Sequence, residues 1–262
     1  MHGNGMFRKS ALIVAHPDDE VLWFSSILDK VDEVVICFLE CRSKSRLSLG
    51  RKNSLEKHPM GNICSLAIEE SEAKSANWEN PKQSRFGIAM TRKSHLLKRR
   101  YNRKYEKNYY ELRKGLEGKL SGYDNVFTHN PWGEYGNAEH IQIYRVLKEL
   151  QGKKGFDLWF SNYCSPLSFK LMLDNISGFD SEYLTLKTNK AMAEEIKGLY
   201  EKNGCWTWYS DWVWFNEECF KKDIPGGNGK YGHTFPLNMI KAPGRPFLLK
   251  RVYNIIRRNG QP

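Results

Sequence analysis

The sequence lacks the marks of a disulfide-stabilised or membrane-spanning chain. Its six cysteines are scattered over 262 residues, with no CxxC pair and no zinc-knuckle spacing. This pattern argues against a disulfide framework and favours reduced cysteines and a cytoplasmic location. The first apolar run, residues 11–15, has only five members, too few for a signal-peptide core or a membrane span. No later segment approaches a spanning helix.

Acidic residues are in deficit. The chain has 30 Asp and Glu against 41 Lys and Arg, a formal charge of +11, and a sequence pI near 9.3. Such a balance implies an anionic partner, such as a phosphate, a nucleic acid or a lipid headgroup. A hydrophobic content of 40% excludes a disordered or collagen-like chain. The length suits one domain over residues 1–262.

Short apolar segments alternate with helical patterns, which predicts an α/β fold with a mainly parallel sheet. Strands are expected at residues 11–15, 34–39, 125–128 and 158–162. The segment after the first strand has apolar residues through position 28 that suit a helix, and helical spacing recurs at residues 138–150 and 189–202.

A basic insertion is expected at about residues 42–120. Residues 42–63 are polar and rich in Lys and Arg, and residues 91–120 predict a long helix with eleven Lys and Arg against three Glu. Three interpretations stay open for this helix: a solvated amphipathic face, attraction of an anionic substrate, or nucleic-acid binding through phosphate contacts and tyrosine stacking. No known nucleic-acid module is recognisable, so no specific nucleic-acid partner is predicted.

The segment His16-Pro17-Asp18-Asp19-Glu20 follows the first predicted strand, where open α/β sheets place their ligands. His16 and Asp19 are spaced so that both side chains can converge on one point, with Asp18 beside them as a separate carboxylate. Imidazole and carboxylate together suit a zinc-like ion, and a catalytic site needs a third protein ligand and an open position.

A second polar cluster, residues 128–140, follows the third predicted strand and leads into a helix. His140, in the first turn of that helix, can supply the third ligand. A single histidine is more often structural than metal-binding, but clusters after two successive strands favour a metal site. The expected ion is Zn²⁺ or another divalent metal such as Fe²⁺.

The motifs AHPDDE at 15–20 and GEYGNAEH at 133–140 resemble the GlcNAc-PI de-N-acetylase (PIG-L/LmbE-like) family of zinc-dependent amidohydrolases. The resemblance covers the first half of the chain and fades after about residue 150. It implies a Rossmann-like sheet, a metal held by His16, Asp19 and His140, and Asp18 as the general base. The implied reaction is hydrolysis of the acetamide of an N-acetylhexosamine in a glycoconjugate or a nucleotide- or lipid-linked sugar, with metal-activated water as the nucleophile.

The sequence departs from that family in three places. Asn137 stands where a histidine is usual, and Glu139 stands where an aspartate is usual. Asn137 can donate to an oxyanion but cannot carry a proton, which would slow an enzyme by on the order of a hundredfold. His129 or His233 could substitute from elsewhere. The alternative function is a catalytically weakened carbohydrate-binding protein of the same fold.

The third departure concerns substrate contacts. A helix expected around residues 67–78 lacks the arginine that the family places there. The candidate replacements are Arg42, Arg46 and Arg51. Arg51, Trp132 and Glu134 are the predicted substrate-binding residues, and the expected partner is an N-acetylated, anionic sugar.

Four tryptophans occupy alternate even positions and would share one face if residues 205–215 were extended: Trp206, Trp208, Trp212 and Trp214. A packing strand is favoured, with a sugar-stacking wall as the alternative.

Two C-terminal segments complete the expectations. Residues 227–232 match GxGxxG but lack the flanking strand and helix, so a loop or lid is predicted rather than a dinucleotide site. Residues 247–258 alternate apolar and basic residues, which suits either packing on the core or peripheral contact with an anionic membrane.

Overall fold

Strands and helices alternate along most of the chain. The computed structural model describes residues 5–91, 96–175, 179–225 and 235–241. The helices in these ranges are α1 (Asp19–Trp23), α2 (Ser45–Glu56), α3 (Leu96–Lys119), α4 (Ala138–Lys154), α5 (Phe169–Asn175) and α6 (Lys190–Lys202). The strands are β1 (Ser10–Val14), β2 (Glu33–Glu40), β3 (Ile63–Glu69), β4 (Gln83–Ser84), β5 (Gly87–Ile88), β6 (Asn125–Thr128), β7 (Asp157–Ser161), β8 (Tyr163–Cys164), β9 (Phe179–Lys187), β10 (Glu217–Asp223) and β11 (Asn238–Met239).

A seven-stranded sheet forms the centre, in the order β3-β2-β1-β6-β7-β10-β9. The first five strands of this order run parallel, and β10 pairs antiparallel with both β7 and β9. The predicted α/β class with a mainly parallel, Rossmann-like sheet flanked by helices is confirmed.

The sheet is buried on both faces because its central strands are apolar at consecutive positions. In β1, Ala11 and Ile13 pack into the core that α3 and α4 cover, whereas Leu12 and Val14 pack into the core beneath α1 and α6. All four side chains are fully buried. This burial on both faces is typical of the strands of a parallel sheet.

The topology places a crevice at the carboxyl ends of β1 and β6. These strands are adjacent, with Ile13 opposite Thr128, but the chain leaves β1 towards β2 on one side and reaches β6 only after β3 at the far edge. Such a reversal of strand order is where open α/β sheets bind ligands. Both polar clusters follow these two strands directly.

Three expected elements are wrong. The helix expected around residues 67–78 is absent, because β3 pairs with β2 as far as Glu69 and the chain then runs without regular structure to β4. The first helix ends at Trp23 rather than near residue 28, since Phe24 leaves helical geometry at φ −139°. Residues 205–216 contain no strand, so the alternate tryptophans do not share an extended face.

The segment at 42–120 supplies integral parts of the fold: α2, β3, the β4–β5 hairpin and α3. Several basic side chains of α3 contact the protein's own acids. Lys107 lies 2.8 Å from Glu111, and Arg113 lies 3.1 Å from Glu149. These pairs offset part of the positive charge of α3 within the protein.

Two further sequence expectations concern the cysteines and the membrane. All six cysteines are free. In the ranges given above, none of the helices combines the length and the apolar character needed to cross a bilayer. The expected loop at 227–232, His233 and the amphipathic stretch at 247–258 lie outside the described residues.

Candidate metal centre and active-site cavity

Three side chains converge at the crevice between β1 and β6. His16 Nδ1 and His140 Nε2 each lie 3.2 Å from Asp19 Oδ2. One ligand atom from each residue lies within 4.8 Å of the other two, and all three residues are buried. The structure thus brings together the three predicted ligands from positions that are 124 residues apart at the extremes.

The turn after β1 is held in a strained conformation. Asp18 has a positive φ of 97°, which a non-glycine residue rarely adopts. Glu20 accepts from the Asp18 backbone N–H at 3.0 Å, and Asp19 Oδ2 accepts from the His16 N–H at 2.8 Å. Trp23 Nε1 donates to Asp19 Oδ1 at 2.9 Å, so both oxygens of the Asp19 carboxylate are held by hydrogen bonds.

The second half of the site is the turn that leads into α4. Asn137 is the N-cap of α4, and its Oδ1 accepts from the Glu139 N–H at 2.8 Å. His140 follows in the first helical turn and points towards Asp19. The cap explains why an asparagine suits this position structurally, in addition to the oxyanion role expected for it.

Glu134 orients His140. Its Oε2 lies 2.7 Å from His140 Nδ1, while Oε1 accepts from the Asn130 N–H at 3.0 Å and from Ser161 Oγ at 2.5 Å. Burial would raise the pKa of Glu134, but His129 and His140 lower it to about 2. A carboxylate on Nδ1 leaves His140 Nε2 as the free ring nitrogen. Glu134 is fully buried and does not line the cavity, so the expected substrate contact is corrected to an orienting one.

Glu139 has the same relation to His16. Its Oε2 lies 3.0 Å from His16 Nε2, and its Oε1 accepts from Ser71 N–H at 2.6 Å and Ser71 Oγ at 2.7 Å. Burial would lower the pKa of His16, but Glu70, Asp19 and Glu139 raise it well above its usual 6.5. With Nε2 turned towards Glu139, His16 presents Nδ1 to the centre.

Two other residues of the second cluster do not reach the cavity. His129 Nε2 accepts from the Ala15 N–H at 2.9 Å, so the lone pair of this nitrogen is already used. Its ring stacks on His140 with centroids 3.7 Å apart, which corrects the expectation that His129 could replace the missing family histidine. Trp132 is a core residue, fully buried, with Nε1 donating to Tyr163 O at 2.7 Å.

Asp18 lies beside the three predicted ligands and is held by a residue that the sequence did not point to. Thr207 donates to Asp18 Oδ2 from its backbone N–H at 3.0 Å and from Oγ1 at 2.6 Å. Burial and the charge of Asp19 raise the pKa of Asp18 to about 8, against the opposing effect of Thr207. No local pattern pointed to Thr207, because its role depends on how residues 205–216 fold back over the turn.

These side chains open onto a cavity of about 410 Å³, here termed the metal cavity, lined by His16, Asp18, Asp19, Asn137 and Glu139 among others. Trp78, Tyr135 and Trp208 form its aromatic wall. Of the arginines considered, Arg51 lines it, buried and paired with Glu70. Arg42 is exposed and does not line the cavity.

The donor set fits a divalent metal. It comprises two imidazole nitrogens and one carboxylate oxygen, a combination that zinc and ferrous iron accept. His140 Nε2 is buried and lies 3.2 Å from Asp19 Oδ2, but its geometry gives it no hydrogen bond to any described residue, whereas Nδ1 is satisfied by Glu134. A buried nitrogen left open in this way is what a ligand atom requires.

Comparison with known proteins supports the architecture. No family model matches the chain. An uncharacterised protein of Acanthamoeba polyphaga mimivirus is 26% identical over 215 residues, which cover 77% of this chain and 84% of that protein. The zinc-inhibited form of teicoplanin deacetylase Orf2 superposes with a TM-score of 0.51 and 10% identity, over 82% of this chain and 98% of that one.

The chain has the fold of a teicoplanin deacetylase. A second structure, a deacetylase–bog complex from the biosynthesis of teicoplanin, gives a TM-score of 0.50 with 11% identity and covers 82% of this chain and 98% of that one. At these identities the likeness establishes the fold, and the chemistry has to be argued from the side chains.

Proposed function

We propose that the protein is a metal-dependent N-deacetylase of the PIG-L/LmbE-like family that hydrolyses the acetamide of an N-acetylhexosamine. The observation that carries this proposal is the convergence of His16, Asp19 and His140 next to a cavity, whose lining includes His16, Asp19 and the neighbouring Asp18. A divalent metal held by these three residues supplies Lewis acidity, which polarises the amide carbonyl and acidifies water.

Asp18 is the proton carrier of this proposal. Thr207 engages Oδ2 of Asp18 through two hydrogen bonds. Oδ1 is therefore the oxygen that takes a proton from the attacking water and later returns it to the departing amine. Burial and the charge of Asp19 raise the pKa of Asp18, which makes its ionised form a stronger base than a free aspartate.

Tyr135 and Asn137 form the donor pair for the oxyanion. Asn137 Nδ2 donates to the Tyr135 hydroxyl at 2.8 Å, so the hydroxyl hydrogen of Tyr135 does not serve that bond and can donate to the substrate. Both residues line the metal cavity. A tetrahedral oxyanion needs such oriented donors, and this pair offers them without the family's histidine.

The cavity wall suits a sugar ring. Trp78, Tyr135 and Trp208 present aromatic surface, which stacks on the apolar face of a pyranose. These features support a carbohydrate amide over a peptide amide.

The first test is metal content together with acetate release. We expect wild-type protein, purified without chelator or metal-affinity resin, to contain close to one equivalent of zinc or iron, and His16→Ala and His140→Ala to lose it. Asp18→Ala should keep the metal and lose acetate release from N-acetylglucosamine conjugates, by on the order of a hundredfold or more.

Two results would overturn the proposal. If wild-type protein takes up no metal, even after reconstitution, the proposed metal centre is ruled out. Protein that binds metal and sugars but releases no acetate from a broad panel of N-acetylated conjugates would favour the weakened carbohydrate-binding protein instead. Elemental analysis and an acetate assay decide between these outcomes.

A further inference from the structure

A second cavity, here termed the side cavity, adjoins the metal cavity. It has a volume of about 600 Å³ and shares four lining residues with the metal cavity, so the two form a continuous cleft. The shared residues are Ser43, Lys44, Leu47 and Thr207. Thr207 also holds Asp18, so the side cavity begins next to the proposed base. A ligand with its acetamide in the metal cavity can extend directly into the side cavity.

The two cavities differ in charge. Every carboxylate of the metal cavity has a hydrogen-bond or ion-pair partner within the protein; Glu70, for example, pairs with Arg51, and Glu72 accepts from Ser43. The side cavity has two basic side chains, Lys44 and Arg46, and none of the residues described around it is acidic. Its electrostatic potential therefore favours an anion.

An aromatic ring also lines the side cavity. Trp206 is half-buried, and its Nε1 donates to Tyr209 O at 3.1 Å, which fixes the ring. Lys197 lies 5.8 Å from the ring centroid and stabilises its position further. A fixed aromatic ring beside two cations is suited to a second sugar, or a similar flat group, that carries negative charge.

We propose that the side cavity is a subsite for an acidic group attached to the N-acetylhexosamine, so that Lys44 and Arg46 select an anionic substrate. This inference rests on the proposed function, because it takes the acetamide to lie in the metal cavity. The shared chemistry is an anion one residue away from the hexosamine, either a carboxylate of a neighbouring uronic acid or a phosphate of a carrier. The overall charge of +11 would assist its approach.

The test compares matched substrates. We expect wild-type protein to deacetylate N-acetylglucosaminyl-glucuronate with a KM about tenfold below that for N-acetylglucosaminyl-glucose, at similar kcat. In the double variant Lys44→Ala/Arg46→Ala, the KM values for the acidic and the neutral disaccharide should become similar. UDP-N-acetylglucosamine is the substrate that tests for a phosphate. A lower KM for it than for the glucuronate disaccharide identifies a phosphate carrier, and a higher KM identifies an acidic glycan.

The control variant is Lys52→Ala/Lys57→Ala, which removes two exposed cations from α2 and its C-cap, away from the cleft. It should retain the preference for the acidic disaccharide. Two results would overturn the proposed subsite. One is equal KM values for the acidic and neutral disaccharides in wild type, and the other is loss of the preference for the acidic disaccharide in the control variant.

A binding measurement separates this proposal from the proposed function. Calorimetry with the reaction products, glucosaminyl-glucuronate and glucosaminyl-glucose, needs no turnover. The protein could bind the acidic product more tightly, through Lys44 and Arg46, and yet release no acetate from any substrate. That result would contradict the proposed deacetylase activity and support the anion subsite. Acetate release without that preference would do the opposite.

Discussion

Each of the two proposed histidine ligands contacts a glutamate through its other ring nitrogen. Glu134 contacts His140 and Glu139 contacts His16, and both glutamates accept further hydrogen bonds that fix them. Outer partners of this kind set the tautomer and raise the basicity of a ligating imidazole. The sequence predicted the ligands from their position after the strands, but it assigned Glu134 to substrate, because burial behind His140 is a tertiary property.

The effect of Glu134 can be measured at this scale. Glu134→Gln keeps the size of the side chain but removes the carboxylate that faces His140, so metal affinity should fall by about 10- to 100-fold. Competition with a chromophoric chelator measures this affinity. Glu195→Gln, on the exposed side of α6, is the control and should leave it unchanged. An unchanged metal affinity in Glu134→Gln would contradict the orienting role.

At the scale of elements, the turn before α4 depends on one glycine. Gly133 has a φ of +68°, and a Cβ built there would lie 2.3 Å from Asn137 O. That carbonyl belongs to the N-cap of α4, and His140 follows in the first turn. The conformation of this turn and the position of the proposed ligand His140 are therefore linked.

Gly133→Ala should destabilise the protein by about 1–3 kcal/mol, through backbone strain and the displaced N-cap, and should weaken metal binding as well. Gly152→Ala is the matched control: Gly152 lies in α4 with no atom near its added Cβ, so this change should stabilise the helix by about 0.5–1 kcal/mol. Denaturant unfolding and metal analysis provide both readouts. Equal stability of the two variants would contradict the strain argument.

Some helices and strands could be predicted from the sequence and others could not. Strands β1, β2, β6 and β7 were found because they are short, apolar runs buried on both faces. Strand β3 was assigned to a helix in part, and α2 was missed, since neither has a clear apolar period. The antiparallel pair β9 and β10 was also missed: β9 is mostly exposed or half-buried, and such edge strands are specified by their neighbours more than by their own residues.

For the whole molecule, the excess of basic residues is partly used to hold the fold together. Lys119, at the end of α3, donates to Glu33 of β2 at 3.0 Å, and Tyr123 donates to the same carboxylate at 3.0 Å. Burial would raise the pKa of Glu33, but these bonds and that from Cys64 lower it. The long basic helix is thus anchored to the sheet through an acid.

This anchor predicts a pH dependence of stability. Because the pKa of Glu33 is lower in the folded protein than its ordinary 4.5, its contribution is complete above pH 4.5 and is lost as the pH falls through the folded-state value. Glu33→Gln should cost about 0.5–1 kcal/mol at neutral pH, a modest value because solvent screens this partly exposed pair. The cost should vanish in acid, as measured by urea unfolding across pH. A cost that does not change with pH would assign the effect to packing.

The bond between Thr207 and Asp18 spans 189 residues of sequence. A growing chain leaves the ribosome from its N-terminus, so His16, Asp19 and His140 are all synthesised before Thr207 exists. A polypeptide that stopped before residue 205 would contain every proposed metal ligand and lack the partner that orients the base. In the course of synthesis, the proposed metal ligands therefore precede the residue that holds the proposed base, and the two are brought together only when residues 205–216 have folded over the turn after β1.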